Sequence, residues 1–223
     1  MCGRYALHTH PDIIALQFGV AAAPPMKPRF NIAPTQEAPV VRVGPEQKRE
    51  LALLRWGLIP SWSKDPTIGA RMINARAESV AAKPSFRNAF RGRRCLVPAD
   101  GYYEWRVEGG RKQPYFLRIA SGEPFAMAGL WEQWRSPEGK LLETYAIVTT
   151  EAAGTASQVH DRMPVILAQP EYEAWLCSAD PVGFLRPWAG AAFSVRRVSS
   201  RVNSPRFDDP QCLDEAGREV VGK

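Results

Sequence analysis

The sequence has few metal-ligating side chains: four cysteines, at positions 2, 95, 177 and 212, and three histidines. No CxxC pair occurs. A structural zinc site needs about four well-spaced ligands, so no bound metal is expected. The wide cysteine spacing does not match the disulfide framework of a small secreted domain. Long apolar runs are missing too. No stretch approaches the roughly 20 apolar residues of a membrane-spanning helix. No basic segment followed by an apolar run marks a signal peptide at the N-terminus. These absences point to a soluble cytoplasmic protein in a reducing compartment, without membrane contact, metal or cofactor. Internal repeats and a βαβ rhythm are also absent.

What is present has an ordinary globular balance. The chain has 223 residues, 45% hydrophobic and 23% charged, enough for one large domain with a substantial core. Tryptophan is frequent, with seven residues, several in turn-rich segments where exposure is expected. The formal net charge is +6, which favours an anionic partner or simply makes a basic surface. The stretch SFRNAFRGRRC gathers Arg87, Arg91, Arg93 and Arg94. Such a run is either a patch for an anion or a solvated face.

Secondary structure reads as mostly short strands. APVVRV, ELALLRW, RCLVPA, YYEWRV, PYFLRI, FAMAGLW, TYAIVTT, PVIL and AFSVRRV each carry strand composition. EGGRKQ, with Gly109 and Gly110, predicts a hairpin turn, and PEGK another turn. THPDIIALQF predicts a helix entered at Thr9 or His10, with Pro11 in its first turn. Further helical pieces are expected in NARAESVAA, PSFRNAF and PEYEAWL. The Pro-rich AAAPPMKPRFNIAPTQ is expected to be loop throughout. The sum is a mainly antiparallel α+β domain with long functional loops.

Four places carry candidate chemistry. Cys2 follows the initiator Met1. Removal of Met1 would leave an α-amine (reference pKa about 7.7–8.0) and a thiol (about 8.5) on adjacent carbons. Such a 1,2-aminothiol condenses with an aldehyde to an imine, and the thiol then closes on the same carbon. The second attack is intramolecular and gains effective molarity. The competing reading is a small residue tucked into an N-terminal strand. In RMINARAESV, Asn74, Arg76 and Glu78 alternate; Asn74 offers an amide donor and Arg76 a phosphate fork, or the stretch is a helix start capped by Asn74. In PADGYYEWR, Glu104 stands among aromatics, either desolvated and fit for proton transfer or facing water on an outer strand. In VHDRMP, His160 follows a predicted strand and loop, either as a general acid/base or as an ordinary loop histidine.

The motifs MCGRY, FNIAPTQ, RWGLIPSW, INARAES, CLVPADGYYEW and HDRMPVIL occur in this order in one chain. The series resembles the SRAP (SOS-response-associated peptidase) family, the abasic-site processing proteins, from residue 2 to about 205. The resemblance implies an α+β fold of antiparallel sheets curled into a barrel-like core with flanking helices. It implies one domain over residues 2–210, with residues 211–223 as a polar, poorly ordered tail. It implies a monomer that acts on abasic sites in single-stranded DNA and is nucleoid-associated when bound. The N-terminal cysteine would form a thiazolidine with the ring-opened sugar, a covalent DNA–protein crosslink.

Carried residue by residue, the resemblance implies Cys2, Asn74, Glu104 and His160 as catalytic. It implies Arg4, Asn31, Pro34, Thr35, Trp62, Arg76 and Arg87 as DNA-binding. The closing SSRVNSPRFDDPQCLDE matches the family pattern only in part, since Asp208-Asp209 stand where an Asn is common. Two other functions remain open at this stage. An N-terminal-nucleophile amidohydrolase or peptidase also begins at a cysteine. A single-stranded DNA-binding module would use the groove without covalent chemistry.

Overall fold

The computed structural model describes residues 2–190 and 193–216. The chain begins in β1 (Arg4–Leu7), turns through α1 (Pro11–Phe18) and returns as β2 (Arg29–Ile32). A hairpin follows, β3 (Glu37–Val43) and β4 (Arg49–Trp56), then the short β5 (Asn74–Arg76), α2 (Arg87–Gly92) and β6 (Arg94–Ala99). The second hairpin is β7 (Gly101–Glu108) with β8 (Arg111–Ile119), and the third is β9 (Phe125–Arg135) with β10 (Leu141–Glu151). The remaining elements are β11 (Arg162–Pro164), β12 (Ile166–Leu167), α3 (Tyr172–Cys177) and β13 (Phe193–Arg197).

Strands β10, β4, β3, β6 and β9 follow one another in hydrogen-bonded order, and β9 pairs back with β10. The ring is therefore a closed five-strand barrel, with extra strands and few helices, in a mixed α+β fold. One contact in the ring, β4 with β10, is parallel; the others are antiparallel. Closure removes free strand edges. Every residue of β6 is buried, which explains its unbroken apolar run of Cys95, Leu96 and Val97. Trp56 stacks on Tyr145 and meets Tyr5 edge-on, and the Tyr5 and Tyr145 hydroxyls lie 2.7 Å apart. Pairing the two hydroxyls removes the desolvation cost that either would carry alone.

A second sheet, ordered β13-β8-β7-β1-β2, lies beside the barrel. Its central part is covered on both faces. Tyr5 and Tyr102 belong to the main core, while Ala6, Tyr103 and Phe116 pack with Val198, Val202 and Cys212. Burial on both sides explains why Tyr102, Tyr103 and Glu104 are all sequestered although they alternate. The β7–β8 turn has the conformation its two glycines allow, with φ of 54° at Gly109 and 78° at Gly110.

The sequence-based expectations hold for the nine long strand stretches, for α1 with His10 as its N-cap, and for α3. Four expectations are corrected. NARAESVAA contains no helix: Ala75 is fully buried beside β10, so residues 74–76 pair as a parallel strand and turns follow. The Pro-rich stretch is not all loop, because Asn31 and Ile32 are buried and pair with β1 as β2. Exposure of tryptophan is confined to Trp62, 59% exposed; Trp56 and Trp175 are fully buried and Trp134 nearly so. Residues 211–216 are not a loose tail, since Cys212 is fully buried and Val198 bridges to Glu215. The rest of that segment, 217–223, lies outside the described residues, as does Met1.

The arginine run divides. Arg94 is buried, and its guanidinium donates to the carbonyls of Phe90, Arg91, Trp175, Leu176 and Ser178, tying the ends of α2 and α3 to β6. Arg93 pairs with Glu132 at 2.6 Å. Only Arg87 and Arg91 face solvent.

Candidate active site

The position of Cys2 follows from β1. This strand is hydrogen-bonded to β2 on one side and β7 on the other. Its register sets Arg4 opposite Tyr103 and Tyr5 opposite Tyr102. The chain just ahead of Arg4 therefore runs alongside the Glu104 end of β7. Cys2 is fully buried there. Burial, followed by the charge of Glu104, pushes its thiol pKa far up, so the resting group is the thiol. Glu104 is 3% exposed, and burial pushes its carboxyl from 4.5 up to about 7. A carboxyl in that range exchanges protons readily at neutral pH.

Asn74 arrives from the barrel side. As part of β5 it lies opposite Ile147 of β10. Its Nδ2 donates to the Cys2 carbonyl at 2.8 Å. Its Oδ1 is buried and has no hydrogen-bond partner among the described residues. An orphaned buried acceptor is rare in folded proteins and marks a place where a donor is wanted.

His160 sits on the connection from β10 to β11. The pairing of Glu151 with Arg162, and the Ala152 N–H donated to the Asp161 carbonyl at 2.8 Å, close that loop. His160 Nε2 lies 3.9 Å from Glu104 Oε2. Its Nδ1 accepts the Arg162 backbone N–H at 3.0 Å and lies 2.7 Å from Asp161 Oδ1. Burial lowers the imidazole pKa from its ordinary 6.5, against the opposing pull of Asp161. The neutral ring therefore prevails at neutral pH. Nε2 is the ring nitrogen nearer Glu104.

Two clefts meet at His160. One, of about 560 Å³, is lined by Glu104, Trp105, Lys112, His160 and Asn203. The other, of about 830 Å³, is lined by Arg76, Glu151, Ser157, His160, Asp161 and Arg162. A further cleft of about 550 Å³, between Leu7, Met26, Pro39 and Leu53, holds none of the four candidate catalytic groups. Among the described residues, no three His, Cys, Asp or Glu side chains are grouped to hold a metal. No helix among them is long and apolar enough to cross a membrane.

The residues expected to bind DNA scatter more widely. Arg76 is exposed and lines the larger cleft. Thr35 is exposed with φ of 72°, an uncommon conformation for a β-branched residue, and Pro34 before it is half-buried. Trp62 stands out from the loop after Pro60, and Arg87 opens α2; neither lines a cleft at His160. Asn31 is fully buried, and its amide donates to the carbonyls of Val202, Ser204 and Phe207. Arg4 donates to Asn31 Oδ1 at 2.9 Å, to the Val202 carbonyl at 2.6 Å and to the Asn203 carbonyl at 3.4 Å. In this structure Arg4 and Asn31 clasp the segment around residues 202–207.

Trp105, Lys112, Asn203, Asp161 and Arg162 line these clefts without being among the expected site residues, and Asp161 does face its neighbour His160, which adjacency in sequence argues against. Asp161 and Arg162 adjoin His160 in HDR, and Asn203 lies in the closing VN, so a local signal existed for these three. Lys112 had none beyond its place in the hairpin.

The geometry defines a barrel-centred α+β protein with a buried cysteine and carboxyl behind a half-buried imidazole where two clefts meet. The chain belongs to the SOS response associated peptidase (SRAP) family, which matches residues 1–205. It is 40% identical to the abasic site processing protein YoqW of Bacillus subtilis, over 96% of this chain and 99% of that protein. It is 34% identical to the abasic site processing protein HMCES of Gallus gallus, over 84% of this chain and 66% of that one. A crystal structure of a Bacteroides thetaiotaomicron protein superposes with a TM-score of 0.85 at 27% identity, covering 96% of this chain and 100% of the other.

Proposed function

We propose that this protein recognises abasic sites in single-stranded DNA and captures them covalently on Cys2 as a thiazolidine, once Met1 has been removed. The observation that carries the reading is the convergence on Cys2. Asn74 holds its carbonyl at 2.8 Å, and Glu104, with a carboxyl near pH 7, stands beside its thiol. Membership of the family and the names of the relatives support the substrate class.

The chemistry balances without a cofactor. The Cys2 amine adds to the aldehyde carbon of the ring-opened deoxyribose to give a carbinolamine. Loss of water leaves the imine. The Cys2 sulfur then bonds to the imine carbon, and the thiol proton ends on nitrogen. The sum is aldehyde plus aminothiol giving thiazolidine plus water. Glu104 accepts the thiol proton and returns it to nitrogen, and His160 serves the sugar oxygen or departing water as proton donor. Asn74 fixes the residue that carries both nucleophiles, and its unpartnered Oδ1 is a ready acceptor for the carbinolamine hydroxyl. Arg76 supplies a fork for a nearby phosphate.

The test is intact-mass analysis of the purified protein before and after incubation with a single-stranded oligonucleotide bearing one abasic site. The expected spectra show loss of Met1 and then addition of the oligonucleotide minus one water. Cys2→Ala is expected to bind without any covalent product. An adduct of undiminished yield in that variant would refute the mechanism. Binding by the parent without an adduct would leave a non-covalent DNA-binding module.

A further inference from the structure

The smaller cleft has a wall that the chemistry above does not use. It consists of Asn203, from the C-terminal segment, and Lys112, from β8. Asn203 is exposed, yet its backbone is fixed. The carbonyls of Val202, Asn203, Ser204 and Phe207 all turn inward onto Arg4 and Asn31. Its side chain is fixed as well, because Trp105 Nε1 donates to Asn203 Oδ1 at 2.7 Å. An indole N–H only donates, so this bond sets which way round the amide lies. The oxygen is committed to Trp105, and the Nδ2 amino group remains as the amide's donor in a residue that lines the cleft. Lys112 is exposed, pairs in register with Val107, and adds an ammonium to the same cleft. Asn203 and Lys112 thus add two donors to a cleft in which Glu104 is the one carboxylate among the described lining residues.

We propose that Asn203 and Lys112 form a phosphodiester subsite, which holds the strand beside Glu104 and His160. This rests on the DNA reading above and adds to it a place for one phosphate. Preset donors that need no reorganisation suit an anionic oxygen. The lysine supplies charge, and the amide supplies a fixed direction. The clasp by Arg4 and Asn31 then has a reason beyond packing, since it keeps Asn203 at the cleft.

The test uses fluorescence anisotropy with a labelled single-stranded oligonucleotide carrying one tetrahydrofuran abasic analogue, which has no aldehyde and cannot crosslink. Asn203→Ala is expected to weaken binding about 5- to 10-fold. Asn203→Asp keeps an acceptor for Trp105 and loses the donor, so it is expected to weaken binding at least as much at an unchanged melting temperature. Lys112→Gln is expected to reduce the slope of log affinity against log salt by about 0.7. Parental affinity in Asn203→Asp would mean that Asn203 serves only to anchor Trp105, and would overturn the subsite. A parental salt slope in Lys112→Gln would overturn it equally. Failure of the parent itself to bind the oligonucleotide would instead refute the DNA reading.

Discussion

The side-chain amide of Asn74 reaches 72 residues back along the sequence to donate to the carbonyl of Cys2 at 2.8 Å. One hydrogen bond thus ties the barrel to the residue in front of the second sheet. Asn74→Ala removes it and frees the nucleophile to wander. Misplacement of a reacting group by about 1 Å can cost on the order of 100-fold in rate. Single-turnover crosslinking is therefore expected to slow by about 10- to 100-fold, while stability falls by only about 1 kcal/mol. A loss of stability with an unchanged rate would mean that Asn74 is structural.

Glu104 predicts a pH signature in stability. Burial raises its carboxyl from 4.5 to about 7, so the folded state prefers the neutral acid. Below pH 4.5 the group is protonated in both states and costs nothing. As pH rises through about 7, the unfolded chain has already ionised and the folded state must follow. Stability is lost across that window, by roughly 3 kcal/mol in all. Glu104→Gln is expected to remove this slope, so urea titrations at pH 4 and pH 8 should show the variant gaining on the parent only at the higher pH. The variant should also lose the rise of crosslinking rate through neutral pH.

His160→Ala leaves Cys2, Asn74 and Glu104 in place. Adduct is still expected to form, more slowly, and transfer of the captured strand to a competing aminothiol should slow as well, because the same proton carrier serves both directions. A typical general acid/base contributes about 100-fold or more. Parental rates in both directions, followed by gel shift over time, would remove His160 from the chemistry.

Arg94 offers a test of the scaffold. Five carbonyls converge on its guanidinium and, among the described residues, no carboxylate does. Arg94→Met is expected to cost about 3–5 kcal/mol, because those carbonyls lose their donor inside the protein. In a chain of this size each kcal/mol moves the melting temperature by about 2–4 °C. The loss should be insensitive to salt, unlike that of an exposed ion pair. Thermal melts at low and high salt check both statements.

Strand composition alone marked most of the barrel, because β3, β4, β6, β9 and β10 are apolar and β-prone throughout. It failed where a short polar stretch is drawn into a sheet by its neighbours. Residues 74–76 read as a helix start, yet β10 pairs with them beyond its short contact with β4 and makes them a strand. Glu104 could be read as desolvated or as facing water, because alternation assumes one open face, and around Tyr102–Glu104 this sheet is covered on both. Cys2, Asn74, Glu104 and His160 were nameable only as an ordered series of motifs; each taken singly had an equally good structural explanation. Arg4 was legible as a cation near the nucleophile, but its partners Asn31 and Val202 lie far along the chain and leave no local trace.

The position of β1 between β2 and β7 has a consequence for the order of events during synthesis. Cys2 emerges from the ribosome before every strand and helix that surrounds it. Its neighbours on β7, the imidazole after β10 and the clasped segment around Asn203 follow much later, and no local contact can substitute for them. Non-local pairing of this kind closes slowly. Cys2 is therefore made long before the segments that bury it, and it gains its final surroundings late in folding.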